Sequence, residues 1–199
     1  MPSESFFRTV FILSGVAMFA IRLYYQRKVR GETGSLMPPG PQRGLQYGAL
    51  AAIVALGFGA LYIVRPGWPA WAFAWPLPVA LRALGVVMLA CGVALLFLAH
   101  HYLALNFSSY VRVREEHTLI QDGPYRTIRH PIYTAYFLNY VGGGLVSGNW
   151  VLASVPVLLF ATMVAQRVGG EEAAMLGQFG DEYRAYMQRT GRFLPRLRV

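Results

Sequence analysis

The chain is built around stretches of nearly pure hydrocarbon. A helix needs about 20 apolar residues to cross about 30 Å of bilayer core. Runs near that length lie at about Phe7 to Tyr25, Gln46 to Val64 and Val79 to Tyr102, with shorter ones at about Ile132 to Val146 and Trp150 to Val168. With 55% hydrophobic and only 14% charged side chains in 199 residues, the chain cannot be an ordinary soluble domain. The fold expected is all-α: a polytopic membrane protein with about five transmembrane helices. Only "SGN" separates the last two runs, so they should form a tight antiparallel hairpin. The polar remainder, "GGEEAAMLGQFGDEYRAYMQRTGRFLPRLRV", reads as a C-terminal cytoplasmic helix with a basic tail. The natural division is a three-span region over residues 1–105 and a second region, 106–199, holding the hairpin and that helix.

The first run is expected to be a span rather than a signal peptide. It lacks a small-residue cleavage site and leads into the basic segment "QRKVRGETGSLMPPGPQRG". Arg22, near its end, can snorkel to the headgroups. Prolines in "RPGWPAW" stop the second run, and its tryptophans suit the interface.

Short loops rich in Lys and Arg stay cytoplasmic. Arg27, Lys28, Arg30 and Arg43 flank the first loop, and Arg112, Arg114, Arg126 and Arg129 fill the third. Arg184, Arg189, Arg192, Arg196 and Arg198 crowd the C-terminal segment, whereas the alternate loops hold little but Arg65 and Arg82. Five spans then place the N-terminus outside and the C-terminus inside. The net charge of +9 is accounted for by topology and anionic lipid, and no nucleic-acid partner is expected.

Several chemistries find no support. The single cysteine, Cys91, lies inside an apolar run, and His100, His101, His117 and His130 form no HExxH or CxxC pattern, so no metal site is expected. A nucleophile elbow and an internal repeat are also missing from the sequence.

Two constellations remain. In "GPYRTIRHPIY", Gly123 to Tyr133, Gly123-Pro124 favours a turn and His130 is pushed toward extended backbone by the following proline. Pro131 suits the first position of the fourth helix, which puts Tyr133 in its first turn. The free N–H groups at such a helix start can take a carboxylate or another polar ligand group, although a capped helix start with interfacial tyrosines has the same spelling. In "RVGGEE", Arg167 and Glu171 are four apart and share a helix face. An ordinary ion pair explains that spacing. Ionised carboxylates at Glu171 and Glu172, near the bilayer boundary, are nonetheless costly unless partnered or functional.

Together, "HTLIQDGPYRTIRHPIY", a short helical hairpin, "RVGGEE" and "FGDEYRAYMQRTGRFLP" closely resemble the isoprenylcysteine carboxyl methyltransferase family of membrane enzymes over about the last 85 residues. The resemblance implies methylation of a carboxylate by S-adenosylmethionine, with a lipid-like or small apolar acceptor admitted from the bilayer to a cytoplasmic pocket. By position it implies cofactor contacts at His117, Thr118, Leu119, Ile120, Tyr125, His130, Pro131, Ile132, Tyr133 and Glu171, and a catalytic, substrate-binding role for Arg167 beside Glu171. A further cofactor contact upstream of His117 falls to Tyr110 or Arg112. Related membrane enzymes with phospholipid or thiol acceptors, NADPH-dependent sterol reductases and a non-enzymatic scaffold remain as alternatives.

Overall fold

The computed structural model describes residues 3–33, 44–73, 77–110 and 118–196. Five α-helices account for most of them: α1 (Glu4–Thr33), α2 (Leu45–Val64), α3 (Val79–Tyr110), α4 (Pro131–Ser147) and α5 (Trp150–Arg189). Two 3₁₀ turns, Ala70–Phe73 and Gly123–Arg126, lie between them. Among the described residues the sole extended pairing is an isolated parallel bridge between Ile128 and Gly191.

Four of these helices, α1, α2, α3 and α5, are long and apolar enough to cross a membrane. α4 has 17 residues, a length of about 26 Å at 1.5 Å per residue, just short of the bilayer core. Large apolar side chains face outward along the bundle, with Phe19 69% and Leu56 73% exposed. Such a surface is an aggregation hazard in water and a matched one in lipid. The protein is an integral membrane protein.

Helix ends follow local chemistry. Gly148 takes a left-handed conformation (φ 67°) that ends α4, and Asn149 Oδ1 accepts from the amides of Val151 and Leu152 at 3.0 and 3.1 Å to start α5. The hairpin turn is therefore only two residues, Gly148 and Asn149. Close approach does the rest: a Cβ at Gly144 would collide with Ala153, and one at Gly142 would lie 2.9 Å from the Gly85 carbonyl of α3. Small residues bring membrane helices together because lipid supplies no hydrophobic drive between them.

The C-terminal polar segment is helical, as expected: α5 runs through Gly169 and Gly170, and a kink at Gly180 (φ 52°, ψ −122°) sets its last stretch off from the rest. The Arg167–Glu171 pair spans the glycines, and buried Val168 and Glu172 hold the turn from both sides.

At the opposite end of the bundle, a polar clamp joins four helices. Arg82 of α3 donates to Glu4 of α1 at 2.8 and 3.1 Å, to the Tyr62 hydroxyl of α2 at 3.3 Å and to the Val146 carbonyl of α4 at 2.9 Å. Its guanidinium also lies 3.9 Å from the Phe7 ring centre. Arg82→Leu removes these bonds and leaves Glu4 with one charge partner fewer. The expected loss is about 2–3 kcal/mol, or roughly 4–12 °C in thermal unfolding of the detergent-purified protein. An unchanged midpoint would show that the clamp does not hold the bundle.

Candidate active site

The site forms where the start of α4 meets the far half of α5. After the 3₁₀ turn, residues 127–130 run beside the segment that follows α5. Gly191 N–H donates to the Thr127 carbonyl at 3.0 Å, Arg129 N–H to the Gly191 carbonyl at 2.8 Å and His130 N–H to the Arg192 carbonyl at 3.0 Å. The Thr134 hydroxyl adds a bond to the Phe193 carbonyl at 2.7 Å. Residues 127–130 and 191–193, some 60 residues apart, thus share one backbone ladder.

Two adjacent glutamates organise the side chains. Glu172, 4% exposed, takes Arg129 Nε at 3.0 Å and Arg192 Nε at 3.2 Å, and Arg192 Nη2 closes on its other oxygen. Arg129 also donates to the carbonyls of Met187 and Thr190. Glu171 faces α4 instead. Its Oε1 accepts from the Tyr133 hydroxyl at 2.7 Å and from Arg167 Nε and Nη2 at 3.3 and 3.2 Å. His130 sits between the two carboxylates, with Nδ1 3.8 Å from Glu171 and Nε2 3.4 Å from Glu172. The imidazole stacks on Tyr133 with ring centres 5.6 Å apart. Its buried Nε2 is not aligned for a hydrogen bond.

Burial holds the His130 imidazole below its ordinary pKa, outweighing the upward pull of Glu171 and Glu172. The native state then carries a neutral ring.

The sequence-derived residues fall into three groups. His130, Tyr133, Glu171 and Arg167 meet in one cluster, with Pro131 buried at the first position of α4 and Ile132 half-buried beside it. Leu119 packs with Tyr183 and Tyr186 of α5, Thr118 is exposed and Ile120 half-buried, and the Tyr125 carbonyl accepts from the Tyr186 hydroxyl at 2.7 Å. Leu119 and Tyr125 are thereby tied to the same stretch of α5 rather than to the His130 cluster itself. His117 and Arg112 lie outside the described residues, as does the Tyr110 side chain. Sequence reasoning missed Arg129 and Arg192 as partners. The doubled glutamate at a membrane boundary was the signal, but nothing in the spacing says which arginines answer it.

A single deletion within the buried ion pair should be costly. Arg129→Met or Glu172→Leu alone is expected to destabilise the protein by about 3–5 kcal/mol, because each strands a buried charge, while the double variant should recover a large part of the loss. Thermal unfolding of the four proteins measures the coupling, and strict additivity would show that the pair does not interact.

A pH test addresses His130. Because its folded pKa is depressed, the unfolded chain binds more protons near the ordinary histidine range of about 6.5. Stability should rise with pH through that range and fall on acidification. Between pH 7.5 and 5.5, wild type should lose more thermal stability than His130→Asn; identical losses would contradict a buried neutral ring.

Residues 83–177 match the isoprenylcysteine carboxyl methyltransferase family. The cobalt-zinc-cadmium resistance protein CzcN of Cupriavidus metallidurans is 31% identical over 131 residues, covering 66% of this chain and 56% of that protein. The protein-S-isoprenylcysteine O-methyltransferase of Schizosaccharomyces pombe is 32% identical over 81 residues, 41% of this chain and 34% of the yeast protein. The enzyme of the same name from Rattus norvegicus is 30% identical over 117 residues, 58% of this chain and 41% of the rat protein. These alignments span about half or less of the relatives' own lengths. The matched segment carries α4, His130, Tyr133, Arg167 and Glu171 within it, and over that segment the chain resembles the isoprenylcysteine carboxyl methyltransferase family.

Proposed function

We propose that the protein transfers a methyl group from S-adenosylmethionine to the carboxylate of a lipid-like or small apolar acceptor at the cytoplasmic membrane face. The observation that carries the reading is the cluster of Glu171, Tyr133, Arg167 and His130, a polar site inside the family segment at the end of an apolar bundle. The basic loops support five spans with the C-terminus cytoplasmic.

The residues present fit the cofactor. A ligand with sulfonium and ammonium charges suits Glu171, whose side chain keeps 26% of its surface open. His130 Nε2 retains unused hydrogen-bonding capacity, and nothing lies within 4 Å of a Cβ built at Gly169, next to the cluster. When bound, S-adenosylmethionine supplies a methyl that a carboxylate oxygen attacks as the carbon–sulfur bond breaks onto sulfur.

The acceptor carboxylate is already ionised near neutral pH, so no general base is required. The protein's part is positioning and exclusion of water. Tyr133 and Arg167 hold Glu171 on one oxygen. Arg167 has five N–H donors and directs two nitrogens at Glu171. Its remaining donors can grip the acceptor carboxylate. Phe160, packed on Tyr133, Tyr136 and Tyr140, continues the site into an apolar wall suited to the rest of the acceptor.

Calorimetry with S-adenosylmethionine and NADPH tests the reading. The protein should bind the former, and His130→Ala, Tyr133→Ala and Glu171→Ala should each weaken it at least about tenfold, or about 1.4 kcal/mol. Arg167→Lys keeps the charge but loses the planar fork. It should bind the cofactor nearly normally while methylating an S-farnesylcysteine probe at least about tenfold more slowly. NADPH binding in place of S-adenosylmethionine, or normal turnover in both Arg167→Lys and Arg167→Ala, would overturn the assignment.

A further inference from the structure

The His130 cluster is built from α4 and α5, and a third helix borders it. α2 and α5 run antiparallel. Trp150, at the start of α5, donates its indole N–H to the Trp71 carbonyl in the 3₁₀ turn after α2 at 2.9 Å, while the first turn of α2 lies against Met163 and Gln166. The approach there is tight: a Cβ at Gly44 would stand 3.1 Å from Gln166 Oε1 and 3.3 Å from the Met163 backbone, and one at Gly48 would collide with the Met163 thioether. α2 is thereby seated beside the turn of α5 that leads from Met163 to Arg167.

Tyr47 stands between those two glycines. Half-buried, it packs on the cluster of Ala51, Phe160, Met163, Val164 and Val168, on which Tyr133 and Phe193 also pack. Phe160, Val164, Arg167 and Glu171 share one face of α5, at i, i+4, i+7 and i+11. Helical side chains lean toward their own helix's N-terminus. In an antiparallel pair Tyr47 therefore leans toward the level of Arg167, and Arg167 leans back toward the level of Tyr47. Among the described residues no hydrogen bond engages the Tyr47 hydroxyl, whereas the Tyr133 hydroxyl is bonded to Glu171.

We propose that Tyr47 is an acceptor-binding residue, its hydroxyl donating to the acceptor carboxylate beside Arg167. The proposal rests on the methyl-transfer reading for the nature of the acceptor. Arg167 directs Nε and Nη2 at Glu171, which leaves chiefly Nη1 for the acceptor, an end-on grip about which a carboxylate can turn. A second donor from another helix stops that rotation and fixes which oxygen faces the methyl group. α2 precedes the family-matched residues 83–177, so this donor belongs to the chain's own N-terminal region.

The probes are S-farnesylcysteine and S-farnesylcysteamine, identical but for the carboxylate, titrated into the full chain in neutral detergent with S-adenosylmethionine present. Wild type should bind the carboxylate probe more tightly than the amine. Tyr47→Phe, which removes only the hydroxyl, should shrink that preference and lower kcat/KM for S-farnesylcysteine by about tenfold, the scale of a hydrogen bond to a charged group. Affinity for S-farnesylcysteamine and for S-adenosylmethionine should not change, nor should the thermal midpoint. An unchanged preference in Tyr47→Phe overturns the role of Tyr47 and leaves methyl transfer to a carboxylate in place. A wild type with no preference for the carboxylate probe overturns the acceptor reading and this proposal together. A lowered midpoint or weakened cofactor binding in Tyr47→Phe would assign the hydroxyl to a bond within the protein and overturn the proposal as well.

Discussion

A carboxylate buried at the end of an apolar bundle must be neutralised by fixed partners, and Glu172 meets this demand with Arg129 and Arg192. Those arginines come from opposite ends of the region, one before α4 and one after α5. Satisfying one buried charge therefore forces residues 127–130 and 191–193 side by side, where their backbones complete each other's hydrogen bonds. A buried ion pair contributes little net stability against an apolar replacement, but it penalises every arrangement that separates its members. In this protein it selects a geometry.

Neighbouring positions on a helix point about 100° apart, and the doubled glutamate uses that angle. Glu172 turns toward the chain that closes the site, and Glu171 toward Tyr133 and Arg167. One carboxylate is saturated with arginine and holds structure. The other keeps one oxygen free of the Tyr133 and Arg167 bonds and part of its surface open. His130, stacked on Tyr133 and set between them, links the two environments.

Much of the fold could be read from hydrophobic run length, because the bilayer imposes one dominant constraint on helices that cross it. The start of α4 at Pro131 and the hairpin at Gly148 and Asn149 followed from proline, glycine and loop length. The kink at Gly180 (φ 52°, ψ −122°) did not, because a single glycine in a helical pattern does not announce its own dihedral angles. The same holds for Arg129 and Arg192: in a sequence with many arginines, local spacing cannot pair charges that lie 43 and 20 residues from Glu172. The Arg167–Glu171 contact was legible as an i,i+4 pair, while Tyr133 as its third member required the hairpin to close.

The central claim is that Glu172 draws the segments at 127–130 and 191–193 into one ladder. Amide hydrogen exchange tests it at the N–H groups of Arg129, His130 and Gly191, each bonded across that ladder. Wild type should protect all three, and Glu172→Gln should accelerate their exchange at least about tenfold, a local loss of about 1.4 kcal/mol, with α2 and α3 unchanged. Equal protection of the three amides in wild type and Glu172→Gln would contradict the claim.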